Sequence, residues 1–81
     1  MQKTIFNELA AAGALSSVAA RGVPGGYVVL ARTEVGERLV ETQRGQTRVF
    51  TKLDTVAAFV RDAGLTRFDV DLANWADSGL V

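Results

Sequence analysis

Histidine and cysteine are both absent from this 81-residue sequence. Without cysteine there are neither disulfides nor thiolate metal sites. Without histidine the commonest general base and the commonest metal ligand are lost together. The serine and threonine hydroxyls have no imidazole to activate them, and no Ser-x-x-Lys pair occurs. Chemistry would have to rest on Asp, Glu, Lys or Tyr alone, and the carboxylates are dispersed. A non-enzyme with no catalytic residue, metal site or cofactor is therefore expected. No apolar run approaches the roughly 18 residues of a membrane span. Near the start, Asn7 and Glu8 interrupt the run begun by Ile5 and Phe6, so no signal-peptide pattern is read and a cytoplasmic protein without a membrane partner is expected. Neither charge is in excess, with nine basic and nine acidic side chains. That balance argues against a strongly electrostatic nucleic-acid binder. With a single proline, the chain is punctuated mainly by its eight glycines.

What is present reads as one small α+β domain over residues 1–81, with little core to spare. The most regular stretch runs from 48 to 72. Arg48, Val49 and Phe50 are extended, and Thr51-Lys52-Leu53-Asp54 approximates a capping box. Leu53, Val56, Ala57 and Val60 then recur at i, i+3, i+4, i+7 on one helical face. Gly64 stands where a left-handed residue ends a helix, with Leu65 placed to fold back on the last turn. Phe68, Val70 and Leu72 alternate with Asp69 and Asp71, as in a strand with one buried face. Upstream, 1–13 predicts a short helix with Ile5, Leu9 and Ala12 on one face, Phe6 beside them and Gly13 as its stop. Residues 14–50 read as an antiparallel meander of three or four strands: 14–21, 27–32, 38–43 and a short 47–50. Turns fall at Val23-Pro24-Gly25-Gly26, at 34–37 and at 44–46. Leu39 and Val40 are adjacent, which leaves the buried face of the third strand open. A helix over 51–64 packs on the sheet, 67–72 is a final strand with no assigned place in the order, and 73–81 is a tail.

Several residues have both a plain and a functional reading. Gly22, Gly25 and Gly26 surround Pro24, but a strand follows where a phosphate cradle needs a helix N-terminus, so a hairpin turn is expected. Asp69 and Asp71 project from one strand face. Such a pair can share a proton or a metal, or simply face solvent. Arg32, Arg38, Arg44 and Arg48 recur along the meander and on adjacent strands would form a basic stripe facing nucleic acid. Only Tyr27 offers an aromatic platform there, and Glu34, Glu37 and Glu41 are interleaved. Trp75 either covers an open end of the core or anchors a partner or a second copy, as tryptophans do at binding hot spots. Residues 1–50 hold six basic against four acidic side chains, and 51–81 hold three against five. This asymmetry reads as solvated surface, or as self-association of a basic sheet edge with an acidic C-terminal strand. Asp69, Asp71 and Asp77 would serve a third reading, a mimic of an acidic surface.

Taken together, Gly25-Gly26-Tyr27, Arg44-Gly45, Arg48-Val49-Phe50, Leu53-Asp54-Thr55-Val56-Ala57, Gly64-Leu65 and Phe68-Asp69-Val70-Asp71 with Trp75 resemble a group of small proteins. These are encoded on conjugative plasmids and related mobile elements and include the partition-associated, ParC-like accessory proteins. The resemblance spans residues 9–75 and rests on structural motifs. It implies an accessory role beside plasmid maintenance or transfer machinery in bacteria, and it carries over no functional residue. The expected function is thus a non-enzymatic protein–protein interaction module of a partition or transfer system. Its partner is a second copy, in a homodimer, or a plasmid-encoded protein, with Trp75, Asp69, Asp71 and Tyr27 as candidate contacts. The alternative is a small nucleic-acid-binding regulator that uses the arginine-bearing sheet face. If both helices cover one face of the sheet, the opposite face becomes the expected binding surface.

Overall fold

The computed structural model describes residues 1–75. Along the chain come α1 (Lys3–Ala11), β1 (Ser17–Val23), β2 (Gly26–Thr33), β3 (Gly36–Leu39), α2 (Leu53–Asp62) and β4 (Asp69–Asp71). The strands form one mixed sheet in the order β3-β2-β1-β4. The two-residue Pro24-Gly25 turn sets β1 antiparallel to β2, with Val23 opposite Gly26, and a second tight turn sets β3 antiparallel to β2. The α2 crossover returns the chain to the far edge of β1, where β4 pairs in parallel. Such a pairing requires a crossover of this length. The α+β class expected from the sequence is therefore the class observed.

Both helices end as the glycine stops predict. Gly13 and Gly64 have φ of 69° and 91°, which costs an L side chain but not glycine. The Gly64 amide donates to the Arg61 carbonyl and the Leu65 amide to that of Val60; the Gly13 and Ala14 amides donate likewise to Ala10 and Leu9. Each is a Schellman motif. The start of α2 departs from expectation. Its N-cap is Lys52 in extended backbone with no side-chain cap bond, so Thr51 and Asp54 do not form the predicted box. Asp54 instead lies in the first turn, where a negative charge suits the helix dipole.

The meander is shorter than predicted. The third strand ends at Leu39, and 47–50 is not a strand. Val40 donates to the Val29 carbonyl, the chain makes an excursion, and Phe50 returns to exchange both backbone hydrogen bonds with Tyr27, at 2.8 Å each. The excursion is closed by bonds from Thr42 to Gln46 and from Arg48 to Val40. Residues 41–43 pair with the start of the chain rather than with the sheet. Glu41 donates to the Met1 carbonyl at 2.7 Å, the Met1 amine donates to that of Leu39 at 2.6 Å, and the Gln2 side chain donates to that of Gln43. Periodicity could not reveal this, because a two-residue partner has no period.

Register assigns each residue to a face, since directly paired residues project the same way. Val18, Ala20 and Gly22 of β1 share a face with Ala31, Val29 and Tyr27 of β2. All six are buried. Phe6 of α1 and Val56, Phe59 and Val60 of α2 close over this face, joined by Val40 and Phe50. Phe6 and Phe59 meet with ring centroids 4.8 Å apart, and Phe50 contacts Phe59 edge-on at 5.4 Å. Both helix faces are rotated from the expected ones. On α1 the buried residue is Phe6, while Ile5 is 45% exposed; on α2 Phe59 is buried and Ala57 exposed. The large aromatic ring sets the rotation, because it has the most apolar area to remove from water.

Candidate interaction face

With both helices on one side, the other side of the sheet has no covering layer among the described residues. The register lays out this open face. Ala19 lies opposite Leu30, and Leu30 opposite Leu39. Arg21 lies opposite Val28, and the Tyr27–Phe50 bridge sets Val49 on the far side of Val28. Val28 is buried yet stands apart from the core cluster; Ala19, Leu30 and Leu39 are half-buried, and Val49 is 50% exposed. The adjacent Leu39 and Val40 are thus resolved, with Val40 in the core and Leu39 on the open face. One end of this apolar strip is bounded by Arg32, which lies opposite Glu37 and forms a salt bridge with it. Along β4, Asp69 lies beside Ala19 and Asp71 beside Arg21 on the same face. The Asp71 carboxylate also accepts from the Ala73 amide at 3.0 Å, a short turn that ends the strand.

The expected buried face of the last strand is only partly realised. Phe68 packs against the core, whereas Val70 and Leu72 are 42% and 52% exposed. Val70 pairs with Ala20 and so points to the helix side, but β4 is the sheet edge and α2 makes its sheet contacts with β2.

Tyr27 and Trp75 lie at one end of the core. Tyr27 is buried on the helix side, and its ring stacks on that of Trp75 at 6.2 Å and 14°. Trp75 is half-buried and packs against the core, which favours its reading as a cover. Gly22, expected in the turn, sits in extended β1 directly beneath Trp75. A Cβ there would collide with the Cβ of Trp75. Gly22 is the residue that sequence reasoning missed. Its only advance signal was a glycine where strand alternation continued, which marks the close approach of another chain segment.

The four arginines do not gather into a stripe. Arg32 is on the open face, and Arg38, opposite the buried Ala31, is on the helix side. Arg44 is in the excursion, and Arg48 lies over the Phe50 ring at 4.3 Å and near that of Phe59 at 5.4 Å. Arg38 instead borders a groove of about 540 Å³ between α1 and the β2–β3 turn, with Met1, Ile5, Leu9 and Val35 on its apolar walls. Among the described residues no group of three acidic side chains is placed to hold a metal, and no helix is long and apolar enough to cross a membrane. Asp77 lies outside the described residues.

The sequence matches the family model described as ParC-like over residues 1–78. The chain belongs to the ParC-like family. No curated protein and no solved structure matches it. The family match extends beyond the resembling segment at both ends. In this ParC-like chain the motifs that carry the resemblance build the scaffold: Gly64-Leu65 ends α2, Phe50 closes the sheet on Tyr27, and Trp75 caps the core.

Proposed function

We propose that this chain is a non-enzymatic interaction module of a plasmid or mobile-element maintenance (partition) or transfer system. The observation that carries the reading is the open sheet face. Leu30, Leu39 and Val49 spread apolar surface over one side of a domain whose helices both lie on the other. Val49 is exposed and Leu30 and Leu39 are partly so, and apolar surface left uncovered on one sheet face supports a docking role. Membership of the ParC-like family supports the partition part of this reading. The candidate contacts Asp69 and Asp71 border this face, whereas Tyr27 and Trp75 support it from the core side.

The nucleic-acid reading has less support, because Arg32 and Arg38 face opposite ways and Arg48 is stacked on aromatic rings. A retention assay tests the main proposal. In cells carrying the element, Leu30→Ser combined with Val49→Ser is expected to cause loss of the element, or failure of its transfer, and deletion of the gene, run alongside, is expected to do the same. The purified variant should keep its circular dichroism spectrum. Retention and transfer at wild-type levels would overturn the proposal. Retardation of DNA at low salt that disappears in Arg38→Ala with Arg48→Ala would favour the alternative.

A further inference from the structure

We infer that the chain pairs with a second copy of itself along the outer edge of β4, antiparallel and centred on Asp69. This goes beyond the open-face reading, because it concerns the rim of the sheet and not its surface. The two rims differ. At β3 the Leu39 carbonyl is already taken by the Met1 amine. At β4, Asp69, Val70 and Asp71 are all exposed, and no described strand lies beyond them. An unpaired strand edge is a template for another strand. The side chains of this rim divide by face. Asp69 and Asp71 project to the open face, and alternation carried back from Asp69 puts Arg67 with them. Phe68 packs against the core on the helix side, and Val70 points the same way but is left 42% exposed. Arg21 and Arg67 balance Asp69 and Asp71, and among the described residues none of the four is in a salt bridge. Charge of one sign would keep copies apart at such an edge. A rim with a cation at one end and an anion at the other is complementary to itself.

Self-pairing fixes which residues meet. A two-fold axis normal to the sheet makes the two edges antiparallel and keeps each residue on its own face. Centred on Val70, the pairing sets Asp69 against Asp71 of the second copy twice, and like charges directly opposite are destabilising. Centred on Phe68, it needs Leu65 in extended pairing, but the Leu65 amide is held by the Val60 carbonyl in the helix stop. Centred on Asp69, it sets Arg67 against Asp71 of the second copy twice and Phe68 against Val70 twice. Each Asp71 then lies between Arg21 of its own copy and Arg67 of the other. One unfavourable contact remains, Asp69 against Asp69 of the second copy. The joined sheet keeps all the helices on one side and covers part of Val70. So short an edge buries little surface, so the dimer is a weak one, with a dissociation constant in roughly the micromolar to millimolar range.

The test is sedimentation equilibrium of the full chain, with amide resonances of labelled protein followed over the same concentrations. A reversible monomer–dimer equilibrium is expected, and the Val70 amide should shift with concentration while that of Leu30 does not. Arg67→Glu should weaken the dimer roughly tenfold, since two attractive cross-strand pairs become repulsive. Asp69→Asn should tighten it about two- to fivefold by removing the like-charge contact. Arg44→Glu, the same charge change away from this rim, should leave it unaltered. Each variant should keep its circular dichroism spectrum. A chain that stays monomeric at every concentration, or a dimer that Arg67→Glu and Arg44→Glu weaken alike, would overturn the edge pairing and leave the open-face reading untouched. A dimer lost in Leu30→Ser with Val49→Ser but kept in Arg67→Glu would overturn it too, and would place the second copy on the open face.

Discussion

The two faces of the sheet are built from the same strands and yet have opposite fates. In β2, Val29 and Ala31 are fully buried under the helices, while their neighbour Leu30 is only half-buried on the other side. Side-chain type does not separate them, since leucine is at least as apolar as alanine. What separates them is the covering layer: Phe6, Val56, Phe59 and Val60 all point to one side. A face becomes core only when a second layer removes it from water. Here two short helices cover one face, and the other has no covering layer among the described residues.

The largest expected effect tests the covered face. Phe6→Ala removes a fully buried ring that contacts Phe59. It should cost about 3–5 kcal/mol, a large part of the stability of a small domain, and should lower the urea midpoint sharply or leave the chain unfolded. A smaller loss tests the end of that face. Gly22→Ala should push Trp75 off the sheet, at about 1–3 kcal/mol for overpacking, with a red shift of tryptophan emission. Unchanged emission would mean that Trp75 does not stack on Tyr27 in solution. Leu30→Ser on the open face should cost about 1 kcal/mol or less in thermal or urea unfolding, because only part of the side chain is buried. A cost near that of Phe6→Ala would show the open face to be core. Thr51→Ala should be the mildest, within about 0.5 kcal/mol, since α2 has no side-chain cap. A working cap would cost about 1 kcal/mol, so urea titration separates the two.

Much of the scaffold was legible because local chemistry decided it. The two glycine stops, the hairpin at Pro24-Gly25 and the apolar run of β2 each depend on residues close in sequence. The candidate site was half legible. Asp69 and Asp71 do share a face, as alternation required, but the four arginines on nominally adjacent strands do not. Their predicted stripe assumed a regular meander, and the excursion after Val40 breaks it. Nothing in 38–50 signals that break, because its cause is the docking of Met1 and Gln2 against Leu39, Glu41 and Gln43.

The sequence by itself determined the order of elements, the α+β class, where both helices stop and which strand residues alternate. These follow from backbone preferences and short-range hydrogen bonds, which act over a few residues. The tertiary structure alone decided that β4 adds in parallel beside β1, that both helices choose the same side and that Gly22 must make room for Trp75. It also decided that Phe6 and Phe59, rather than Ile5 and Ala57, turn inward. Each of these depends on contacts between segments distant in the chain, where burial of the largest apolar surfaces outweighs local pattern.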